Sequence, residues 1–511
     1  MKKLVYNCGR FIVIGMIVAS LIGCSLLGTG NPQEKLIVTS DIDRWGGFQV
    51  SPDNRHFAFS KQIGKKWTIS LDGKDGKLYD NIGDMTLMFS PDSNRYCYLA
   101  QDNDMMFMVI DGVEQAKYRS VPGGMFIFSP DSKRYAYMST EGEKTFVVVD
   151  GKEGKRYDDI QGASLTFSSD SKRFAYAAQD GDKWTVVLDG EEGKQYDVVV
   201  PSTSTLTFSP DCKHFAYAVQ QDNQFIIVLD GKESARYDDL GIGLLTFSPD
   251  SQKLAFAVMK QDKWVVIVNG EEQKQYDTVA PATIKFSPDS KRLVYFAKRI
   301  TESEEKAFTV IDGKEGKEYD ELWPGSFVFS PDSQRWGYLA KSDKDFFVVI
   351  DDKEETKYSG IGIGSLHFSN DSKHYAYVAQ KGSKSLTVRD GKESVLYDTI
   401  SVGSVKFSPD GSHLCYAAAT GSKQFMVIDE KKDKEYDKIT DGIFSPDSKH
   451  CVYVAAIDGK QAVVIDGTPS KKYDKIIITF GGALIFDPDS TSLYYYAVEG
   501  QNLYSVTETI K

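Results

Sequence analysis

The stretch SLTFSSDSKRFAYAAQDGDKWTVVLDGEEGKQYD, from Ser164 to Asp197, decides the fold. Its first four residues enter a polar turn, Ser168 to Arg173, and Phe174 to Ala178 follows. After the tip Gln179 to Lys183 come the β-branched and apolar run Trp184 to Leu188, the pair Asp189-Gly190 and a short segment closing in Tyr196-Asp197. Short apolar runs rich in Val, Ile, Tyr and Phe and bounded by turn residues read as strands. The stretch therefore predicts four antiparallel strands.

The same unit, about 40 residues long, fills almost the whole chain. Its Phe-Ser-Pro-Asp turn, or a close variant, recurs twelve times, with aspartates at Asp53, Asp92, Asp131, Asp170, Asp211, Asp250, Asp289, Asp332, Asp371, Asp410, Asp447 and Asp489. The Asp-Gly pair, suited to the positive φ of a two-residue hairpin, returns 19 residues after most of these, as at Asp72, Asp111 and Asp150. Tyrosine then marks the fourth strand of the first eleven units, from Tyr79 to Tyr473. Four-stranded meanders at this period predict the blades of a β-propeller, an all-β fold.

The motif Phe-Ser-Pro-Asp-Ser-Lys-Arg followed by Tyr-Ala-Tyr resembles the bacterial WD-like propeller repeat of TolB and related envelope proteins, over roughly residues 36 to 511. The Asp-Gly-Lys-Glu-Gly-Lys-x-Tyr-Asp half of the unit lies outside that signature, and the separate N-terminal domain of TolB has no counterpart here. The resemblance implies a propeller in the cell envelope and names no ligand.

Twelve blades exceed the usual four to eight of one ring, so the expected arrangement is two six-bladed rings. The first would span 35–272 and the second 273–511, with the segment Gln273 to Val279 crossing over to close the second. No linker marks this boundary, which leaves one large ring or a seven-plus-five split open. The last unit ends after about three strands, at Tyr504 to Thr509, while Glu34 to Asp43 precedes the first unit as a fourth strand would. Swapping such terminal strands removes an exposed edge.

Residues 1–23 read as an export signal: Lys2, Lys3 and Arg10 without an acid, then the apolar run Phe11 to Ile22, too short to span a bilayer. Leu21-Ile22-Gly23-Cys24 resembles a bacterial lipobox, which implies cleavage before Cys24, lipid attachment to its thiol and a tether over 24–34. Ser25 after the cysteine resembles the outer-membrane sorting pattern, so the expected location is the outer membrane, facing the periplasm or the cell surface. Loss of residues 1–23 removes three of 61 basic residues and none of 73 acidic ones, moving the formal charge from −12 to −15. Nucleic acid is a poor partner for such a surface.

Five histidines, His56, His214, His374, His413 and His450, lie three residues after the repeat aspartate, where other units carry Arg or Lys. That interchange asks for a hydrogen-bond donor or cation rather than a metal ligand. Cys97 and Cys415 stand at the alanine position of the second strand, Cys451 at an aromatic position and Cys212 at the serine of the turn. They read as buried small residues, with a disulfide between Cys415 and Cys451 on neighbouring blades as the alternative.

No Gly-x-Ser-x-Gly, His-Glu-x-x-His or phosphate-cradling glycine loop appears, so neither catalytic residues nor a metal or other cofactor are expected. The irregular segments before each first strand read as loops running to the channel mouth. Among them Arg44, Trp45 and Trp323 are the candidate binding residues. The expectation is a non-enzymatic, lipid-anchored envelope scaffold for a protein or peptide. The competing class is a glycan-binding protein or an enzyme with a loop-built site.

Overall fold

A computed structural model of the protein describes residues 32–39, 46–83, 85–122, 125–200, 206–241, 245–478 and 484–510. The chain forms twelve antiparallel sheets, one per repeat, each ordered from first strand to fourth. Blades are numbered here by their repeat aspartates, from Asp53 in blade 1 to Asp489 in blade 12.

Strand alternation explains how blades join. In the second strand Phe174–Asp180, Phe174 and Tyr176 point to blade 3, where they meet Ala136 and Met138. Ala175 and Ala177 point the other way, against Leu206, Phe215 and Tyr217 of blade 5. Large residues on one face thus fill the room left by small ones on the next. Twelve apolar clusters of this kind each join two consecutive blades.

The clusters correct the expected division into two rings. Blades 6 and 7 share a core of Ala255, Ala257, Tyr276, Val279 and Tyr295 like that of any other pair. The strand Glu271–Tyr276 stays in blade 6, where Tyr276 pairs with Trp264. Blade 12 closes on blade 1 through Val50, Phe57, Phe59, Tyr496 and Leu503. The protein is therefore one closed twelve-bladed β-propeller.

The N-terminal strand Gln33–Thr39 completes that closure. It runs antiparallel to Asn502–Thr509 as the fourth strand of blade 12, and it starts at Gln33, inside the segment read as tether. Elsewhere the fourth strand is continuous in blades 4 and 6, as Glu191–Tyr196 and Glu271–Tyr276, and in the others it is a two-residue pair such as Lys152–Glu153, followed by a bridge such as that from Tyr157 to Thr145. Gly154, whose amide bonds to Val147 O at 2.9 Å, makes the intervening bulge.

The half of the repeat outside the short family signature builds the outer seam. Lys155 Nζ and Tyr157 Oη both bond Glu192 Oε1 of the next blade, at 2.8 and 2.9 Å. Lys194 and Tyr196 hold Glu233 in the same way, at 2.6 and 2.9 Å. At the closing seam Lys471 and Tyr473 hold Glu34, which the N-terminal strand supplies in place of the missing repeat glutamate.

The turn aspartates are committed as well. Ser168 Oγ and the Lys172 amide donate to Asp170, hold its carboxyl down at about 2, and fix the turn. Asp289, Asp371 and Asp447 are held at about 2 by their own serines and following amides. In nine seams the aspartate amide donates to a serine of the next blade at 2.9–3.0 Å. Cys212 takes the serine's place in a tenth, accepting the Asp170 amide at 3.3 Å.

Two outcomes test this account. Deleting Gln33–Thr39 bares the Asn502–Thr509 edge, so the melting temperature should fall by at least about 5 °C and light scattering should show concentration-dependent association; an unchanged, monodisperse variant would remove the closure argument. Because the turn carboxyls titrate lower in the folded ring than in the unfolded chain, their contribution is complete above the ordinary carboxylate range. It should be lost as pH falls from about 4 to about 2, read as a urea midpoint that is flat from pH 7 to 5 and drops below pH 4.

Candidate functional site: the channel wall

With the repeated polar residues held in seams, side chains left free for a ligand must lie where blades differ. The first strands of neighbouring blades approach one another, as Gly46–Val50 does Met88–Phe89, while the fourth strands are exposed at the circumference. First strands therefore line the axial channel.

Most first strands are interrupted. In blade 4, Asp159–Ile160 and Thr166–Phe167 both pair with Phe174–Asp180, with Gln161 to Leu165 between them. Ser164 Oγ replaces the lost ladder contact by donating to Gln161 O at 2.6 Å and accepting the buried Ala177 amide at 2.8 Å. The same amide is met by Thr86, Thr283, Ser326, Ser365, Ser404 and Thr440 in six further blades, at 2.8–3.1 Å. One hydroxyl keeps the buried backbone satisfied, so the residues beside it can vary at little structural cost.

What varies there is mostly apolar. Met85 is 84% exposed, Ile363 59% and Met125 40%. Among the described residues of these interruptions only Asp441 is charged, in contrast to the hairpin tips, as in Lys381 to Lys384. Met85, Met88, Met108 and Met125 line a cleft of about 30 Å³ between blades 2 and 3, room for a water or two. A ligand would therefore meet the methionines on the wall, not inside a pocket. A groove of about 500 Å³ between blades 4 and 5 is lined by Arg173, Leu188, Glu192, Phe215 and Tyr217, the seam residues of the repeat itself.

The sequence pointed to other residues. Arg44, Trp45 and Cys24, the expected point of lipid attachment, lie outside the described residues. Trp323 is half-buried in the first-strand interruption of blade 8, between Glu321–Leu322 and Val328–Phe329. Its ring packs on Phe346 of its own blade at 5.4 Å, and its carbonyl accepts Ser326 Oγ at 2.7 Å. The segment read as a mouth loop thus belongs to the channel wall. The methionines had a signal of their own, since seven of the eleven fall between Met85 and Met138.

The histidines are placed as the Arg and Lys interchange implies. His56, His214, His374, His413 and His450 each set Nδ1 2.5–2.7 Å from the aspartate directly after the third strand of their own blade, followed by Gly in all but Asp429. Arg95 makes the equivalent bond to Asp111 at 2.8 Å and reaches Ser132 O and Lys133 O of the next blade. Among the described residues no three His, Cys, Asp or Glu side chains gather as a metal site would require.

No protein-family model matches the chain, and no curated protein is similar to it. Among solved structures, a eukaryotic initiation factor is 13% identical with a TM-score of 0.33, over 67% of this chain and 97% of that one. TolB from Acinetobacter baumannii is 14% identical with a TM-score of 0.23, over 50% and 77%. The Dos1 propeller is 13% identical with a TM-score of 0.27, over 60% and 92%. Likenesses this low carry no functional argument, and the fold stands on the chain's own sheets.

If His214 is a donor to Asp230, His214→Arg should leave stability unchanged, whereas His214→Ala should cost about 1 kcal/mol in urea unfolding. Equal losses in both variants would contradict the donor role.

Proposed function

We propose that the protein is a non-enzymatic scaffold that binds a protein or peptide partner against its channel wall, held to a bacterial envelope membrane by lipid on Cys24. The observation that carries the reading is the split between committed and free side chains. The repeated charges and tyrosines close seams, whereas Met85, Met125 and Ile363 are exposed in interruptions whose described residues carry one charge, Asp441. Methionine is flexible and polarisable, and suits contact with apolar side chains of varied shape.

Photo-crosslinking from the native envelope tests this. A crosslinkable residue placed at Met85, Met125 or Ile363 should give the same protein adduct, and one placed at Lys152 on the circumference should give none. No adduct from the wall, or equal labelling from wall and circumference, would overturn the proposed site. Met85→Asp with Met125→Asp should lower the adduct yield at Ile363 at least tenfold without changing the melting temperature.

A further inference from the structure

The seam between blades 10 and 11 breaks the packing rule of the ring. Five residues before the repeat aspartate every other blade has Leu, Ile, Val or Phe, but blade 11 has Gly442. Four residues after it the others have an aromatic residue or leucine, but blade 11 has Cys451. Two large side chains are therefore missing from one seam, and the small position facing them on blade 10 is Cys415.

Sulfur occupies the space. A Cβ added to Gly442 would lie 3.0 Å from Cys415 Sγ and 3.2 Å from Cys451 Sγ, with Met426 Cε at 3.1 Å. Both cysteines are buried, 0% and 3% exposed. The neighbouring Cys415 thiol and burial push the Cys451 thiol far up. Cys97 and Cys212 have no such partner: Cys97 packs in the seam of blades 2 and 3, and Cys212 meets the Asp170 amide.

We propose that Cys415 and Cys451 form a disulfide that locks blade 10 to blade 11. The oxidant is a disulfide donor, a class that includes glutathione disulfide and dithiol oxidases. One cysteine thiolate attacks the donor S–S bond and releases one donor sulfur; the second cysteine thiolate then displaces the other. The protein S–S bond forms, the donor leaves as two thiols carrying the two electrons, and the two cysteine protons pass to it through solvent. The thiolate is the reactive form, and both thiols are shut away once the seam packs. Exchange therefore belongs to folding, before blade 11 docks, and the finished bond is shielded from reductant. Gly442 is what lets two sulfurs share the site, because any Cβ there would press on both.

The inference draws on the exported location proposed above for its natural oxidant, but its test supplies the oxidant and so does not depend on location. The full chain is refolded in detergent with glutathione disulfide or with dithiothreitol, its remaining thiols are alkylated under denaturing conditions, and it is digested with trypsin. After oxidative refolding, peptides 407–423 and 450–460 should appear joined and unlabelled, and separate on reduction. Cys97 and Cys212 should be alkylated. The oxidised protein should melt several degrees above the reduced one, a difference lost in Cys415→Ala and Cys451→Ala. Should either variant fail to fold, the wild-type comparison still decides. Alkylation of both cysteines after oxidative refolding, with the β-sheet signal intact, would overturn the proposal.

Discussion

The contact on which the molecule depends is the meeting of alternate second-strand residues across a seam: Phe174 and Tyr176 into one neighbour, Ala175 and Ala177 toward the other. A single blade cannot bury either face, so each sheet is stable only between two others. Because the pattern has a head and a tail, blades add in one direction until the last face meets the first. In a ring of twelve each seam turns by roughly 30°, a gentler wedge than in smaller propellers. Closure is then a matter of matching faces, which Phe57 and Tyr496 do at the final seam, 5.8 Å apart and edge-on.

Polar chemistry follows the same logic of one blade completing the next. The Lys and Tyr of one fourth strand clamp the Glu of its neighbour, the turn aspartate amide reaches the neighbour's serine, and Arg95 spans both its own Asp111 and the carbonyls of the following turn. Arg95 also lies over Phe128 of that next blade, at 5.4 Å. Individually these exposed contacts are weak. Repeated around the circle, they fix the relative height and tilt of the blades, and they explain why an abundance of charge and aromatic rings need not signal a binding site.

Much of this was legible from residues alone. Asp-Gly turns and the fourth-strand tyrosine set the strand register, and the interchange of His with Arg and Lys disclosed a donor position before any distance was known. The ring count was hidden because the seam of blades 6 and 7 is built from the same residue types as every other, so nothing local marks continuity or its absence. The broken first strand was hidden for a different reason. Ser164 reads as the opening of the first strand, yet it acts as a replacement for a ladder bond, a role that only the facing Ala177 amide reveals. Trp323 drew attention because it is large and flanked by proline, and the structure gives it a neighbour in Phe346.

The origin of the closing strand has a mechanical side. The strands Gln33–Thr39 and Asn502–Thr509 meet in blade 12, where Gln33 pairs with Thr507 and Thr39 with Asn502. Tension applied ahead of Gln33 therefore reaches this ladder before it reaches any other region of the ring. Pulled along the strand, the hydrogen bonds share the load and must shear together; pulled outward, they would break in succession, each pair bearing the whole force in its turn. The direction of traction decides whether the ring behaves as a hoop or as a strip that unrolls from blade 12.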